Sequence, residues 1–168
     1  MMHKINFVRT LFLLLIVFAN IGCDQLSKNV VRNHINPTET ISLLNNHLVL
    51  MNVENTGAFL SLGDSLAAPY RIFLLAILPL LALISALIYL LFFQHYNILL
   101  AVGLSFIVGG GLGNLIDRIL RGSVTDFLFI HSSLFRTGIF NLADVAIMFG
   151  SSLLIVPALL SAVKRQLS

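Results

Sequence analysis

The sequence has little charge and few of the residues that build metal or disulfide sites. It contains no Trp, a single cysteine (Cys23) and 10% charged residues against 58% hydrophobic ones. One cysteine excludes an intramolecular disulfide and a cysteine-rich metal centre. The five histidines are scattered, with no two spaced as i and i+4, so a zinc site is not expected. The sequence therefore predicts no metal and no cofactor.

Acidic residues are missing from long parts of the chain, and basic residues form no cluster. All seven acids lie between Asp24 and Asp144. Although the formal net charge is +3, no basic run typical of nucleic-acid binding occurs, so no nucleic-acid partner is predicted. A chain of 168 residues with this composition can bury only part of its apolar surface in a core, so lipid is its expected solvent. We predict one integral membrane domain, residues 1–168.

Four apolar segments are long enough to cross a bilayer, which takes about 20 helical residues. They predict a mainly α membrane protein with four transmembrane helices at roughly 6–23, 70–93, 98–119 and 141–163. Pro79 lies inside the second span and predicts a kink, which membrane helices tolerate. Gly109-x-x-x-Gly113 in the third span is a small-residue spacing that allows helices to approach closely. If the third and fourth spans pack through glycine, their adjoining ends meet.

The first apolar segment also resembles a secretory signal. Basic residues precede it, and Gly22-Cys23 is a place where a lipid-modified cysteine could lie. However, Asn20 stands where lipoprotein signals usually carry Leu, and the later spans would not be needed in a cleaved lipoprotein. We interpret the segment as an uncleaved first helix; a cleaved signal, or lipidation of Cys23, is the alternative.

Two polar stretches, 24–69 and 120–140, are expected to lie together outside the membrane. Four spans place both termini on the opposite side of the membrane from these stretches. The side of the termini holds four Lys/Arg and no acid, whereas the side of the polar stretches holds six Lys/Arg and all seven acids. The positive-inside rule counts only basic residues, so it does not decide the orientation. We favour cytoplasmic termini because the basic start of the first helix resembles an insertion signal and the other basic residues have acids nearby.

Both polar stretches contain signals for extended structure. Apolar residues flank Asn45-Asn46 within Thr40 to Val53, which indicates a short hairpin or a pair of strands. Asn55-Thr56-Gly57 follows with residues that tolerate positive φ. Residues 124–130 alternate in character and predict a further extended segment. We expect a small β-element beside the membrane.

Asp126 and Asp144 lie at the ends of the stretch that joins the third and fourth spans. Two carboxylates within about 3–4 Å of each other cannot both ionise cheaply, so they share a proton. The ionised one can then take a proton from water while the other donates to a carbonyl oxygen, which is aspartic-protease chemistry. The alternative is structural: Asp144 caps the helix that begins after Asn141, and Asp126 pairs with an Arg. Spacing alone leaves both interpretations open.

Other polar groups favour structural roles. Asp117-Arg118 follows Asn114 near the end of the third span and indicates an ion pair or network, and Asp24 is interpreted in the same way. Ser27-Lys28 could suggest a Ser-Lys dyad, but adjacent residues on a helix point apart. A noncatalytic membrane protein that uses its acids as a proton relay or assembly site is the alternative to an enzyme.

Five motifs occur in a fixed order along the chain. They are Asp24-Gln25-Leu26-Ser27-Lys28, Asn55-Thr56-Gly57-Ala58-Phe59, Gly110-Gly111-Leu112-Gly113-Asn114-Leu115-Ile116-Asp117-Arg118, Val124-Thr125-Asp126-Phe127 and Phe140-Asn141-Leu142-Ala143-Asp144. Together they resemble signal peptidase II, the bacterial lipoprotein signal peptidase. The resemblance covers roughly residues 10–163.

The resemblance implies an aspartyl endopeptidase of the bacterial inner membrane that acts on prolipoproteins. It implies cleavage before a cysteine that already carries diacylglycerol, with membrane lipid as a partner and globomycin as an inhibitor. The catalytic pair falls on Asp126 and Asp144. Positions that support the site or bind substrate fall on Asp24, Asn55, Gly57, Asn114, Asp117, Arg118, Asn141 and Ala143.

The resemblance also implies a small extracytoplasmic β-cradle and a short periplasmic helix over the site, within residues 40–70. The sequence departs from the family pattern Asn-Thr-Gly-Ala-Ala-Phe, because Phe59 takes the second Ala position and Leu60 follows. The cradle near Asn55 is therefore expected to differ in shape, which bears on substrate and inhibitor preference.

Overall fold

The computed structural model describes residues 7–58, 63–93, 97–132 and 135–167. Within these ranges the elements are α1 (Phe7–His34), β1 (Thr40–Leu43), β2 (Leu48–Asn55), α2 (Ala68–Ile72), α3 (Leu78–Phe92), α4 (Ile98–Arg121), β3 (Val124–Ile130) and α5 (Leu142–Leu167). A π-helical segment, Phe73–Ile77, joins α2 to α3.

Four helical segments of the described chain are long and apolar enough to cross a membrane. They are α1, the continuous helix from α2 to α3, α4 and α5. The predicted mainly α membrane fold with a small β-element is confirmed. The stretch of π-helix lies just before Pro79, which lacks an N–H and whose ring would clash with the preceding turn of an α-helix.

The first helix is longer than the sequence indicated. It continues past residue 23, where we predicted the end of the first span, to His34. Asp24 and Lys28 lie one turn apart and form a 2.7 Å ion pair with both side chains fully buried. Because these polar side chains face a neighbouring helix, they do not end α1. The helix therefore does not end where the predicted polar stretch 24–69 begins.

The Gly109–Gly113 spacing brings α4 against α1. A Cβ added at Gly109 would lie 2.8 Å from the carbonyl oxygen of Val17, and one at Gly113 would lie 2.7 Å from the Asp24 carboxylate. Val17 and Asp24 are both buried. The face of α1 that carries Val17 and Asp24 therefore packs against α4.

A different pair of α4 glycines meets α5. A Cβ at Gly103 would lie 2.9 Å from the carbonyl oxygen of Gly150, and one at Gly110 would lie 2.4 Å from that of Ala143. The two helices run in opposite directions, so Gly110 contacts the first turn of α5. This close approach brings Ala143 and the adjoining Asp144 against α4.

A three-stranded antiparallel sheet in the order β1-β2-β3 lies at the end of the bundle where α1 and α4 end and α5 begins. The predicted hairpin is confirmed, with positive φ at Leu44, Asn45 and Asn46 in its turn. The predicted extended segment is β3. Residues 56–58 and 63–67 form turns and bends. The short helix implied within 40–70 and the departure at Phe59 and Leu60 fall wholly or partly on residues 59–62, outside the described residues.

The chain after β3 folds back onto the same strand. Leu128 N donates to Phe140 O at 2.8 Å, and Phe140 N donates to Leu128 O at 2.9 Å. Farther along, Thr137 N donates to Ile130 O at 2.9 Å. This return brings the start of α5 beside β3, so the two ends of the connecting stretch become neighbours.

Candidate active site

Asp126 projects from β3 into the junction between the sheet and α5. Its two carboxylate oxygens accept hydrogen bonds from two side-chain amides: Oδ2 from Asn55 Nδ2 at 2.9 Å and Oδ1 from Asn141 Nδ2 at 2.6 Å. The residue is only 4% exposed. Asn55 is in turn held by its own turn, because its Oδ1 accepts from Gly57 N at 3.0 Å. One amide from the sheet and one from the helix start therefore fix this carboxylate.

Asp144 lies in the first turn of α5 and closes a reciprocal cap with Asn141. Asp144 N donates to Asn141 Oδ1 at 3.0 Å, and Asn141 N donates to Asp144 Oδ2 at 3.2 Å. This satisfies helix-start N–H groups, and the helix dipole favours an anion here. The other oxygen, Oδ1, accepts from Asn114 Nδ2 on α4 at 2.8 Å. Asp144 therefore caps its helix and also faces a neighbouring element.

The two carboxylates line one small cavity of about 40 Å³, together with Asn55, Asn114 and Arg118. Burial raises the pKa of Asp126 to about 6, and the negative charge of Asp144 adds to this, while the hydrogen bonds from Asn55 and Asn141 and the charge of Lys28 oppose it. Asp126 therefore keeps its proton up to about pH 6, where an aspartate with the ordinary pKa of 3.8 has lost it. A proton donor next to a carboxylate that accepts protons is the pairing that general acid–base hydrolysis needs.

The amide of Asn114 is oriented by a fully buried lysine. Lys28 Nζ donates to Asn114 Oδ1 at 2.9 Å, which leaves Nδ2 directed at Asp144. The same ammonium lies 2.7 Å from Asp24 Oδ2 and 3.0 Å from Asp117 Oδ2. One amide oxygen and two carboxylates therefore surround the ammonium, which makes its buried charge tolerable.

Asp24 connects this cluster to α5. Its Oδ1 accepts from Ala143 N at 3.0 Å, one of the N–H groups at the helix start that lacks a partner within the helix. The lysine-centred network thus contacts both α4 and the turn that carries Asp144. Asp24, Asn114, Asp117 and Ala143, which the sequence grouped around the site, are brought together here.

Arg118 takes a different direction from its neighbour Asp117. Asp117 pairs with Lys28 and with Arg32 on α1, whereas Arg118 lines the cavity and donates from a terminal nitrogen to Gly57 O at 3.1 Å. Adjacent residues on a helix point apart. Of the predicted alternatives, an ion pair or a network, Asp117 therefore takes part in a network on the side of α1. Arg118 places a positive charge beside both aspartates and holds the turn after β2.

An apolar groove of about 710 Å³ opens beside Asp144. Its lining includes Ile130, Phe140, Val145, Met148 and Phe149. A second recess of about 220 Å³ adjoins Asn114 and Arg118 from the side of α3. The polar pair is thus flanked by surfaces that suit apolar chains.

The contacts decide two of the structural alternatives, the ion pair of Asp126 with an Arg and the Ser27-Lys28 dyad. Within the described residues neither Asp126 nor Asp144 has a basic nitrogen within 4.0 Å, so Asp126 is not one half of an Arg ion pair. Ser27 Oγ donates to Asp24 O at 2.8 Å, while Lys28 is engaged in the buried network, so they form no dyad.

Sequence reasoning did not include Arg32, Thr125 or Lys28 among the residues around the site. The sequence indicated Lys28 only as part of the first motif and as the partner of Ser27 in a dyad. Arg32 donates to Thr125 Oγ1 at 2.7 Å, across 93 positions of sequence. The sequence signal that could have indicated Lys28 and Arg32 is their i, i+4 spacing with Asp24, which places all three on one face of α1.

Comparisons with known proteins agree over most of the chain. A family model described as signal peptidase (SPase) II matches residues 16–160. The chain is 37% identical over 150 residues to a lipoprotein signal peptidase of Moorella thermoacetica, covering 89% of this chain and 93% of that protein. It is 36% identical over 143 residues to one from Clostridioides difficile, covering 85% and 91%. A solved bacterial membrane enzyme superposes with a TM-score of 0.80 at 26% identity, covering 96% of this chain and 94% of the other.

Proposed function

The chain belongs to the signal peptidase II family, and on that premise we propose that Asp126 and Asp144 are the catalytic pair of an aspartic endopeptidase. The protein is a multi-pass membrane protease that removes signal peptides from prolipoproteins. A noncatalytic proton relay is not favoured. The observation that carries the proposal is the shared cavity, in which one carboxylate with a raised pKa faces another at a helix start.

The two aspartates take different roles because their surroundings differ. Asp126 is the buried one and carries the proton, which it donates to the carbonyl oxygen of the scissile bond. Asp144 lies at the positive end of a helix dipole and accepts a proton from water as the water oxygen bonds to the carbonyl carbon. Asp144 then passes this proton to the amide nitrogen while Asp126 takes its own proton back from a hydroxyl of the tetrahedral intermediate. The C–N bond breaks, which yields a carboxylic acid and an amine and restores both aspartates.

The neighbouring residues hold this geometry. Asn55, Asn114 and Asn141 each donate to one of the carboxylates, while Gly57 and Arg118 fix the turn over the cavity. The charge of Arg118 stabilises the negative charge that develops as water attacks. No step uses a metal ion.

The substrate is a prolipoprotein whose cysteine already carries diacylglycerol, and cleavage falls just before that cysteine. Support comes from the apolar groove beside Asp144, where acyl chains and the apolar signal helix can lie while the scissile bond reaches the aspartates. Membrane lipid occupies the same surface between substrates. Globomycin, as an inhibitor of this family, would compete for the site.

We place the protein in the bacterial inner membrane with both termini in the cytoplasm and the site at the extracytoplasmic face. The site lies where α1 and α4 end and α5 begins, whereas Lys164 and Arg165 lie in the last turn of α5, at the opposite end of the bundle. A reporter enzyme that is active only outside the cytoplasm should be inactive when fused after residue 168. An active fusion would reverse the orientation.

The decisive experiment measures cleavage of a lipid-modified prolipoprotein by the purified protein in detergent. Asp126→Asn and Asp144→Asn should each abolish cleavage while the protein remains folded. Glu39→Gln is a matched control, because the Glu39 side chain is exposed and lies outside the cavity, and it should retain activity. Full activity of Asp126→Asn would refute the mechanism. Cleavage of the unlipidated substrate at an equal rate would refute the proposed lipid requirement.

A further inference from the structure

Arg32 joins three separate elements near the site without contacting the cavity. Its NH2 group lies 2.7 Å from Asp117 Oδ1 on α4, and its Nε donates to Thr125 Oγ1 on β3 at 2.7 Å. Thr125 Oγ1 in turn donates to Glu54 Oε1 on β2 at 2.7 Å, and Ser123 Oγ donates to the other Glu54 oxygen. A single guanidinium therefore links the end of α1 to α4 and to both longer strands of the sheet.

The apolar contacts at this junction do not fix the position of β3 along α1. Phe127 packs with Val31 and Ile35 in one buried cluster. Such contacts are non-directional, so they favour burial of β3 without selecting one exact position. The planar guanidinium instead presents donors in a fixed fork, and its bond to a carboxylate is charge-assisted. The fork of Arg32 is therefore a directional restraint that holds β3 against α1 and α4.

This restraint acts on the residue that precedes Asp126. Thr125 and Asp126 point to opposite faces of β3, as successive strand residues do. Thr125 is fully buried on the α1 side, and Asp126 faces the cavity. On α4, Asp117 lies three residues after Asn114, which holds Asp144. Arg32 therefore connects β3, which carries Asp126, to the turn of α4 whose Asn114 binds Asp144.

We propose that Arg32 is a positioning residue which, through Thr125, holds β3 against α4 so that Asp126 and Asp144 keep the separation that cleavage requires. The inference rests on the proposed roles of these two aspartates. It gives Arg32 a function in catalysis that differs from stabilising the fold, and this difference is measurable.

The test compares kcat and KM of Arg32→Met, Thr125→Val and the double variant on a lipid-modified prolipoprotein. Each single variant should lower kcat by about tenfold or more with KM nearly unchanged, because a displacement near 1 Å can cost about 100-fold in rate. Both changes break the Arg32–Thr125 bond on which the proposed positioning depends, so the double variant should lose little more kcat than the worse single one. Losses that multiply would show that Arg32 does not act through Thr125.

Two further variants separate positioning from stability. Arg32→Lys keeps a positive charge beside Asp117 but loses the fork, so its thermal midpoint should stay near wild type while kcat still falls. Arg121→Met removes an exposed arginine at the end of α4 and should keep normal kcat. If Arg32→Lys and Thr125→Val retain kcat within about twofold, the positioning role is refuted even where Arg32→Met fails to fold. An active Asp126→Asn would refute the catalytic pair instead, a separate result from the same assay.

Discussion

Replacing Gly110 by Ala tests how strictly the approach of α4 to α5 sets the position of Asp144. The new Cβ would lie 2.4 Å from the carbonyl oxygen of Ala143, whereas real Cβ contacts are essentially never shorter than 3.0 Å. The start of α5 must therefore move by at least about 0.6 Å, the difference between these values. Because the atom it meets is backbone, no side-chain rotation relieves the contact. Ala143 adjoins Asp144, so the carboxylate moves with it.

The expected effect falls mainly on the rate of cleavage. A misplacement of about 1 Å can cost about 100-fold in rate, so a shift of this size should lower kcat by about tenfold or more. The free energy of unfolding should fall by about 1–3 kcal/mol, as is usual for overpacked interfaces. Both are measured on purified enzyme, from initial cleavage rates and from thermal unfolding in detergent.

Two other glycines provide matched controls. A Cβ at Gly22 would meet nothing within 4 Å, so Gly22→Ala should keep wild-type kcat and stability. Gly103→Ala overpacks the same helix pair against Gly150 O at 2.9 Å, but far from Asp144. It should lower stability with a smaller loss of kcat. If Gly110→Ala keeps wild-type kcat despite folding normally, the link between helix spacing and catalysis is wrong.

Four further outcomes are expected. Because Asp126 must hold a proton and burial raises its pKa to about 6, kcat/KM should fall as pH rises above that value, and a profile without such a fall would contradict its role as the acid. Because the pKa of Asp126 is raised in the folded protein, its ionisation opposes folding. The free energy of unfolding should therefore decline as pH rises from 3.8, the ordinary pKa of an aspartate, towards about 6. Asp126→Asn should remove that decline in thermal unfolding curves. Lys28→Met leaves Asp24 and Asp117 buried without their ammonium and should lower the free energy of unfolding by about 3–5 kcal/mol. Lys164→Met, at an exposed position, should leave it almost unchanged. Equal thermal midpoints of the two variants would show that the network contributes little to stability. Activity should survive EDTA, and a loss restored by zinc would overturn the metal-free chemistry.

Features determined by neighbouring residues were predictable from the sequence. Asn141 and Asp144 are three residues apart, which is the spacing of a helix-start cap, and the structure forms that cap. The hairpin turn at Asn45-Asn46 follows from the tolerance of Asn for positive φ. The apolar helices follow from length and hydropathy alone.

The end of α1 was predicted too early in the chain because polar residues in a membrane protein do not always mark the end of a helix. Asp24 and Lys28 read as the start of a solvated loop, but a buried ion pair has the same sequence signature. Only the neighbouring α4, which supplies Asn114 and Asp117, distinguishes the two cases. The residues of α1 alone do not indicate that α4 packs against them.

The sequence by itself determined which residues could do the chemistry: two aspartates at the ends of adjoining spans, in motifs that resemble one family. The tertiary structure decided how they are held. The chain returns from β3 to α5, which places Asp126 beside Asn141. Gly110 of α4 contacts Ala143 at the start of α5, which places Asp144 against α4. The positioning contact of Arg32 with Thr125 spans 93 residues. Caps and turns depend on residues within one helical turn, whereas these contacts depend on packing between distant segments, which periodicity and spacing do not encode.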